Sequence, residues 1–216
     1  MKRARARILS LAREPEKALH AALETIQGGG VMLFPTESVY GMGVDATRPE
    51  AVERLYELKG RPREKPFQWL VPDLEFARAA SKGWDERAEK LARAFWPGPL
   101  TLVVPVRGEQ TVGWRVPHHD WLLKFLRRLN RPLAATSANP AEKPAPKIFR
   151  TALRPFADLV DLALDGGSIG RGAASTVVAL EPSRIQILRP GAVSEPSIRE
   201  AIAGGDFSSA VLEGYC

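Results

Sequence analysis

The densest chemistry in this chain is a run of cations. In Lys59-Gly60-Arg61-Pro62-Arg63-Glu64-Lys65-Pro66, four positive side chains fall within seven positions. A cation at a helix C-terminus gains ~0.3–1 kcal/mol from the macrodipole, which covers Lys59 but not a run that continues past Gly60. With two prolines holding the segment extended, alternate side chains would face one side. Such a strip suits a polyphosphate, to which Arg offers a bidentate fork and Lys a mobile point charge. An RNA backbone would use the same groups, so the run specifies an anion without saying which.

Four other segments place polar groups at the ends of apolar runs. In Pro35-Thr36-Glu37-Ser38-Val39-Tyr40-Gly41-Met42-Gly43, two hydroxyls flank a carboxylate and could hold a polar ligand. The plainer reading is a turn whose hydroxyls satisfy their own backbone. Gly41 to Ala46 formally fits the dinucleotide fingerprint. The helix should then begin at the glycines, but Thr47-Arg48-Pro49 delays it, and we reject the match. In Thr136-Ser137-Ala138-Asn139-Pro140, alternation puts Ser137 and Asn139 on one side if the chain stays extended; a local turn before Pro140 is the competing reading. Asp165 to Gly172, with Ser175-Thr176 beyond, nearly reproduces a phosphate loop, but Ala173 stands where the lysine belongs, which argues against a Walker NTPase. Arg189-Pro190-Gly191 is a strand-end cation before a turn.

These segments need elements to position them. Helical spacing of apolar residues predicts helices over 15–26, 49–59 and 120–129, one from Asp85 to Trp96, and others beginning at Asp73 and Pro196. Strands are expected over 31–34, 67–71, 100–106, 112–116, 133–136, 159–164, 176–180 and 185–188, with a turn containing Gly108. Helices and strands interleave without strict βαβ alternation. We therefore expect an α/β fold with a mixed, twisted sheet flanked by helices. No linker or repeat divides the 216 residues, so one domain is expected, with a core over about 18–203, a solvated basic N-terminus and a loose tail from Gly204.

Composition narrows the function classes. Hydrophobic residues at 44% and charged residues at 26% describe a globular chain rather than a disordered one. A net charge of +6 favours anionic partners. No apolar run approaches the ~18–20 residues of a membrane span, and the early arginines meet Glu14 and Glu16 before any signal-peptide apolar stretch forms. Cys216 is the only cysteine, which makes no intrachain disulfide and allows a cytoplasmic setting. With only His20, His118 and His119 beside it, a zinc cluster is not expected.

Taken in order, the segments resemble the YrdC family of threonylcarbamoyl-AMP synthases. The stretches concerned are Phe34 to Gly41, Leu58 to Pro62 with Lys65-Pro66, Trp96 to Thr101, Arg115 to Pro117, Ser137 to Asn139, Ser175 to Val178 and Leu188 to Gly191. The resemblance implies a three-layer fold around a deep basic cavity. It also implies an enzyme that joins ATP, bicarbonate and L-threonine into threonylcarbamoyl-adenylate and releases pyrophosphate. The product would feed a separate transferase complex that modifies the adenosine 3′ to the anticodon in ANN-reading tRNAs. The family's catalytic tetrad falls on Lys59, Arg61, Ser137 and Asn139. Nucleotide contacts would come from Arg61, Lys65, Thr111, Ser137, Ala145 and Arg189. The threonine side would involve Ser38, Leu70, Arg115, Ala135 and Ser175, with Arg115 pairing the carboxylate. Mg2+ is expected on the phosphates. The chain's length corresponds to the family's short form, without the extra C-terminal domain.

Departures from the family pattern bear on substrate fit. Ser38 stands where Thr is usual, Leu70 where some members carry His, Thr136 where Pro is frequent, and Pro140-Ala141 follows the Ser-Ala-Asn motif. One methyl contact discriminates by only ~1–3 kcal/mol, so threonine-versus-serine choice is not legible here. Two rivals use overlapping features. One is a carbamoyl-adenylating enzyme fed by carbamoyl phosphate; the other is a non-catalytic paralogue that binds RNA directly. Trp69, Trp84, Trp114 and Trp121 sit in apolar patterns and read as packing residues rather than as an RNA platform.

Overall fold

Apolar residues at helical spacing form the helices and short apolar runs form the strands across this computed structural model, which describes residues 5–106, 110–141, 143–170 and 173–204. In chain order the elements are β1 (Arg7–Ser10), α1 (Pro15–Gln27), β2 (Met32–Pro35), β3 (Tyr40–Asp45), α2 (Pro49–Lys59), β4 (Gln68–Leu70), α3 (Leu74–Ala80), α4 (Glu86–Phe95), β5 (Leu100–Pro105), β6 (Thr111–Arg115), α5 (Asp120–Leu129), β7 (Leu133–Ser137), α6 (Phe149–Leu153), β8 (Leu162–Asp165), β9 (Thr176–Leu180), β10 (Ile185–Arg189) and α7 (Glu195–Ala203). The turn at Gly108, the Arg171-Gly172 end of the glycine loop and Cys216 lie outside the described residues.

Local chemistry sets the helix ends. Pro15 and Pro49 open α1 and α2, where a missing N–H costs nothing. The carboxylates of Asp73 and Asp85 accept from the N–H groups of Phe76 and Ala88 at 2.8 and 3.0 Å, capping α3 and α4. Gly60, with φ of 60°, ends α2 in the left-handed conformation that side chains disfavour.

Among the described residues, ten strands form one sheet in the order β1-β8-β2-β3-β7-β4-β6-β5-β9-β10. Parallel and antiparallel pairs alternate irregularly, so the sheet is mixed. Paired residues point to the same side of a sheet and successive residues to opposite sides. The registers therefore put Ala134, Trp69, Trp114, Leu102 and Val178 on one face, and Ala135, Gln68, Gly113, Val103 and Ala179 on the other. The first face is buried along its length, under α2 and α6 at one end and under α3, α4 and α7 at the other. On the second face, α1 and α5 seal the half built from β1, β8, β2, β3 and β7. Across β4, β6, β5 and β9, Gln68, Val103, Val177 and Ala179 belong to none of the three apolar clusters and keep access to solvent.

Several local expectations are revised. Arg7–Ser10 is a strand paired in parallel with β8, ahead of the expected core, because Ile8 and Leu9 are too short a run to stand out between arginines. Tyr40–Asp45 is β3 rather than loop. Its glycines are held in an antiparallel ladder between β2 and β7, which supports rejecting the dinucleotide match. The strand expected from 159 begins at Leu162; Leu159 lies in a turn and is exposed.

Candidate active site

Lys59 is the last residue of α2, and its side chain turns into the protein rather than along the cationic run. Its Nζ donates to the Ser137 carbonyl at 2.8 Å, to Asn139 Oδ1 at 2.9 Å, and to the Asn139 carbonyl. Residues 78 and 80 positions apart in the chain are thus fastened at one point. Burial, and then the adjacent Arg61, push the Lys59 ammonium from 10.5 down to about 8.

The cationic run is a turn, not an extended strip. The Lys65 N–H donates to the Pro62 carbonyl at 3.1 Å. Arg61 closes the turn, donating through Nε to the Lys65 carbonyl at 2.6 Å and through Nη2 to the Pro66 carbonyl at 3.1 Å. Its guanidinium also lies 5.5 Å from the Phe67 ring centre. Arg63 faces away, against Glu53 of α2 and the Tyr56 ring, so alternate side chains do not share a side. Lys65 is exposed at the tip.

Ser137 ends β7, and the chain bends there, the Asn139 N–H donating to the Ser137 carbonyl at 3.0 Å. The extended alternation expected for Ser137 and Asn139 therefore stops at Ala138, and Lys59 is what joins them. Asn139 Nδ2 donates in turn to the carbonyls of Pro140 and Lys143 at 3.0 and 2.5 Å, so the local-turn reading holds as well. A cavity of 620 Å³ adjoins this bend, lined in part by Asn139, Lys143, Ala145, Arg150 and Arg154.

Two further networks stand on the open stretch of sheet. At the end of β6, Arg115 donates through Nε to the Gly98 carbonyl at 3.1 Å and through Nη2 to Ser38 Oγ at 3.4 Å, and Nη2 also pairs with Glu37. Sequence reasoning missed this buried pair, since nothing local links positions 37 and 115. In the same turn Thr36 is structural. Its Oγ1 accepts from the N–H groups of Ser38 and Val39 at 3.2 Å and donates to the Val39 carbonyl at 2.7 Å. Next to this, Arg189 of β10 donates to the Ser175 carbonyl at 2.7 Å and to Ser175 Oγ at 2.9 Å. Ser175 continues to Thr101 at 3.1 Å, and Thr101 donates to Gln68 at 2.9 Å. Gln68, missed in the sequence, had a signal: an amide inside a short apolar run.

The positive charges sense one another. Arg189 is held below the ordinary arginine range first by burial and then by Arg115 and Arg61, which places three guanidiniums in one electrostatic neighbourhood. Thr111 is exposed at the start of β6, on the same face. Leu70 and Ala135 are buried in the apolar layer under α1 and α5, yet in the ladder Leu70 pairs with Arg115 and Ala135 with Gln68, so both border the open stretch. The glycine loop is pinned over its first half, where Tyr40 Oη donates to the Gly167 carbonyl at 2.9 Å and accepts from the Gly166 N–H at 3.0 Å. Thr176 is also structural, bonded both ways to Val193. Among the described residues these cations border an open stretch of sheet and the cavity at the Asn139 bend, not the single deep basic cavity that was expected.

The family profile Sua5_yciO_yrdC, described as Telomere recombination, matches residues 24–191. A threonylcarbamoyl-AMP synthase of Pyrococcus abyssi is 37% identical over 196 residues, covering 87% of this chain and 58% of its own length. A putative threonylcarbamoyl-AMP synthase of Mycobacterium tuberculosis is 34% identical, with 89% and 92% covered. The solved structure of P. abyssi Sua5 complexed with L-threonine superposes with a TM-score of 0.83 at 35% identity, covering 91% of this chain and 60% of that one. The chain thus spans a little over half the length of some relatives and nearly all of others. No helix among the described residues is long and apolar enough to cross a membrane.

Proposed function

The chain belongs to the Sua5/YciO/YrdC family, and from that premise we propose that it is an L-threonylcarbamoyl-adenylate synthase acting on ATP, bicarbonate and L-threonine. The observation that carries the reading is that Lys59 fastens Ser137 to Asn139 while Arg115 bonds Ser38 and Arg189 bonds Ser175, which sets cations and hydroxyls together in three contacts. The reaction brings one anion to another. The threonine ammonium gives up a proton, bicarbonate loses water as carbon dioxide, and the free amine adds to that carbon to form a carbamate. A carbamate oxygen then attacks the α-phosphorus of ATP, and the bond from that phosphorus to the departing pyrophosphate breaks. Such a step needs positive charge and in-line positioning more than a covalent nucleophile. In this reading Arg61 and Arg189 face the phosphates, while Arg115 and Ser38 face the amino-acid carboxylate. Lys59 holds Ser137 and Asn139 where the nucleotide lies, and Lys65, Thr111 and Ala145 border it. Ser175 joins the two sides, since Arg189 grips it and Thr101 meets it. The L-threonine bound to the P. abyssi relative supports the choice of amino acid.

Mg2+ would arrive as the ATP complex. In this reading phosphate oxygens and water carry the ion. The product would pass to a separate tRNA-modifying transferase complex. Pyrophosphate release from ATP tests the proposal. Release should require L-threonine and bicarbonate together. Release driven by carbamoyl phosphate instead, or no release from a protein that binds RNA in a salt-sensitive way, would refute it.

A further inference from the structure

We propose that Glu37 is the acidic half of the amino-acid subsite: one carboxylate oxygen holds Arg115 in place and the other receives the substrate's ammonium group. This rests on the amino-acid reading of the site given above. Glu37 stands in the turn that Thr36 Oγ1 locks with three backbone hydrogen bonds, so its position is set before any ligand arrives. Its side chain is only 10% exposed and that of Arg115 only 3%. Oε1 pairs with Arg115 Nη2, whereas Oε2 is buried without a hydrogen-bond partner.

A buried carboxylate oxygen left unpaired is costly, and native proteins rarely leave one without a reason. An ionised carboxylate accepts only, so what Oε2 lacks is a donor, and a cationic donor suits it best. Arg115 spends Nε and Nη2 on Gly98, Ser38 and Glu37, and Nη1 takes part in none of these bonds. Guanidinium and carboxylate together offer a donor beside an acceptor, which matches the carboxylate and ammonium of an α-amino acid. A phosphate would be repelled by Glu37. The pair therefore belongs to the amino-acid side, while among the described residues Lys59, Arg61 and Arg189 have no carboxylate as a hydrogen-bond partner.

The test titrates the full-length protein with L-threonine and with (R)-3-hydroxybutyrate, which keeps the carboxylate, hydroxyl and methyl but lacks the amine. The wild type should prefer threonine by about tenfold or more, the scale of one charge-assisted hydrogen bond. Glu37→Gln should shrink that preference to within about threefold, and Glu37→Asp, which keeps the charge, should retain more of it. ATP affinity should change little in either, and thermal melting confirms that both variants fold. An unchanged preference in folded Glu37→Gln, with both ligands weakened equally, would overturn the proposal and leave Glu37 as a brace for Arg115. A wild type that binds no threonine would instead bring down the functional reading on which it rests.

Discussion

Lys59 has two duties that pull in opposite directions. Its three acceptors on Ser137 and Asn139 need a charged ammonium, while burial and Arg61 push the proton off near pH 8. Lys59→Met would strip the ammonium from both Asn139 oxygens, while the Ser137 carbonyl keeps the Asn139 N–H, and we expect it to cost about 3 kcal/mol in denaturant unfolding, with loss of ATP binding. The pH dependence has a definite sign. Between about pH 8 and 10.5 the unfolded chain holds a proton on Lys59 that the folded protein lacks, so this group's contribution to stability rises with pH across that window. ATP should act the other way. Triphosphate near Lys59 favours the charged form, so affinity should fall as pH rises through 8, and calorimetry in buffers of different ionisation heat should record proton uptake there and none at pH 6.5. Arg61 closes the turn at 62–65, and in the proposed function it also faces the phosphates. Arg61→Ala should lose ~1.5–3 kcal/mol of charge-assisted contact, or one to two decades in pyrophosphate release; full activity in that variant would remove Arg61 from the site.

At the scale of elements, what matters is how strand ends are pressed together. Arg189 reaches Ser175 only because the turn after β10 lies directly on the chain entering β9. A Cβ on Gly191 would sit 2.3 Å from the Ala174 carbonyl oxygen and 2.6 Å from the Thr176 nitrogen. Backbone atoms cannot yield as side-chain tips do. Gly191→Ala should therefore push β10 and its arginine off Ser175, costing roughly 2–3 kcal/mol. Activity should fall further than the stability loss explains, as melting curves and rates measured on the same preparation would show. Unchanged melting with unchanged rate would mean that this contact does not position Arg189. The same scale explains a reading the sequence concealed. Tyr-Gly-Met-Gly has little β-propensity, yet β3 sits between β2 and β7, where ladder hydrogen bonds on both sides outweigh it.

For the whole molecule, the site exists because one sheet is covered unequally. Leu102 and Val103 are chain neighbours on opposite faces. Leu102 is 0% exposed beneath α4, whereas Val103 lies outside every apolar cluster. Leu102→Ala should cost ~2–5 kcal/mol and leave substrate affinity intact in whatever remains folded. Val103→Trp should instead melt within about 1 kcal/mol of the wild type and block ligand binding by filling the open stretch. Denaturant melts and ATP titration of both variants check the contrast. Equal destabilisation would mean that both faces of β5 are packed alike.

The sequence by itself located six of the described helices, missing the short α6, and supplied the inventory of reactive groups. Prolines at Pro15 and Pro49, carboxylates at Asp73 and Asp85 and the glycine at Gly60 act over one helical turn, so their effect is readable from neighbours alone. Motif order carried the family for the same reason, as each motif is a short local string. Tertiary structure alone decided that Lys59 meets Asn139, that Arg115 is paired with Glu37, and that the cationic run curls into a turn. It also decided which half of which sheet face stays open. Those outcomes depend on which strands pair and in what register, and pairing between residues about 80 positions apart leaves no trace in local spacing.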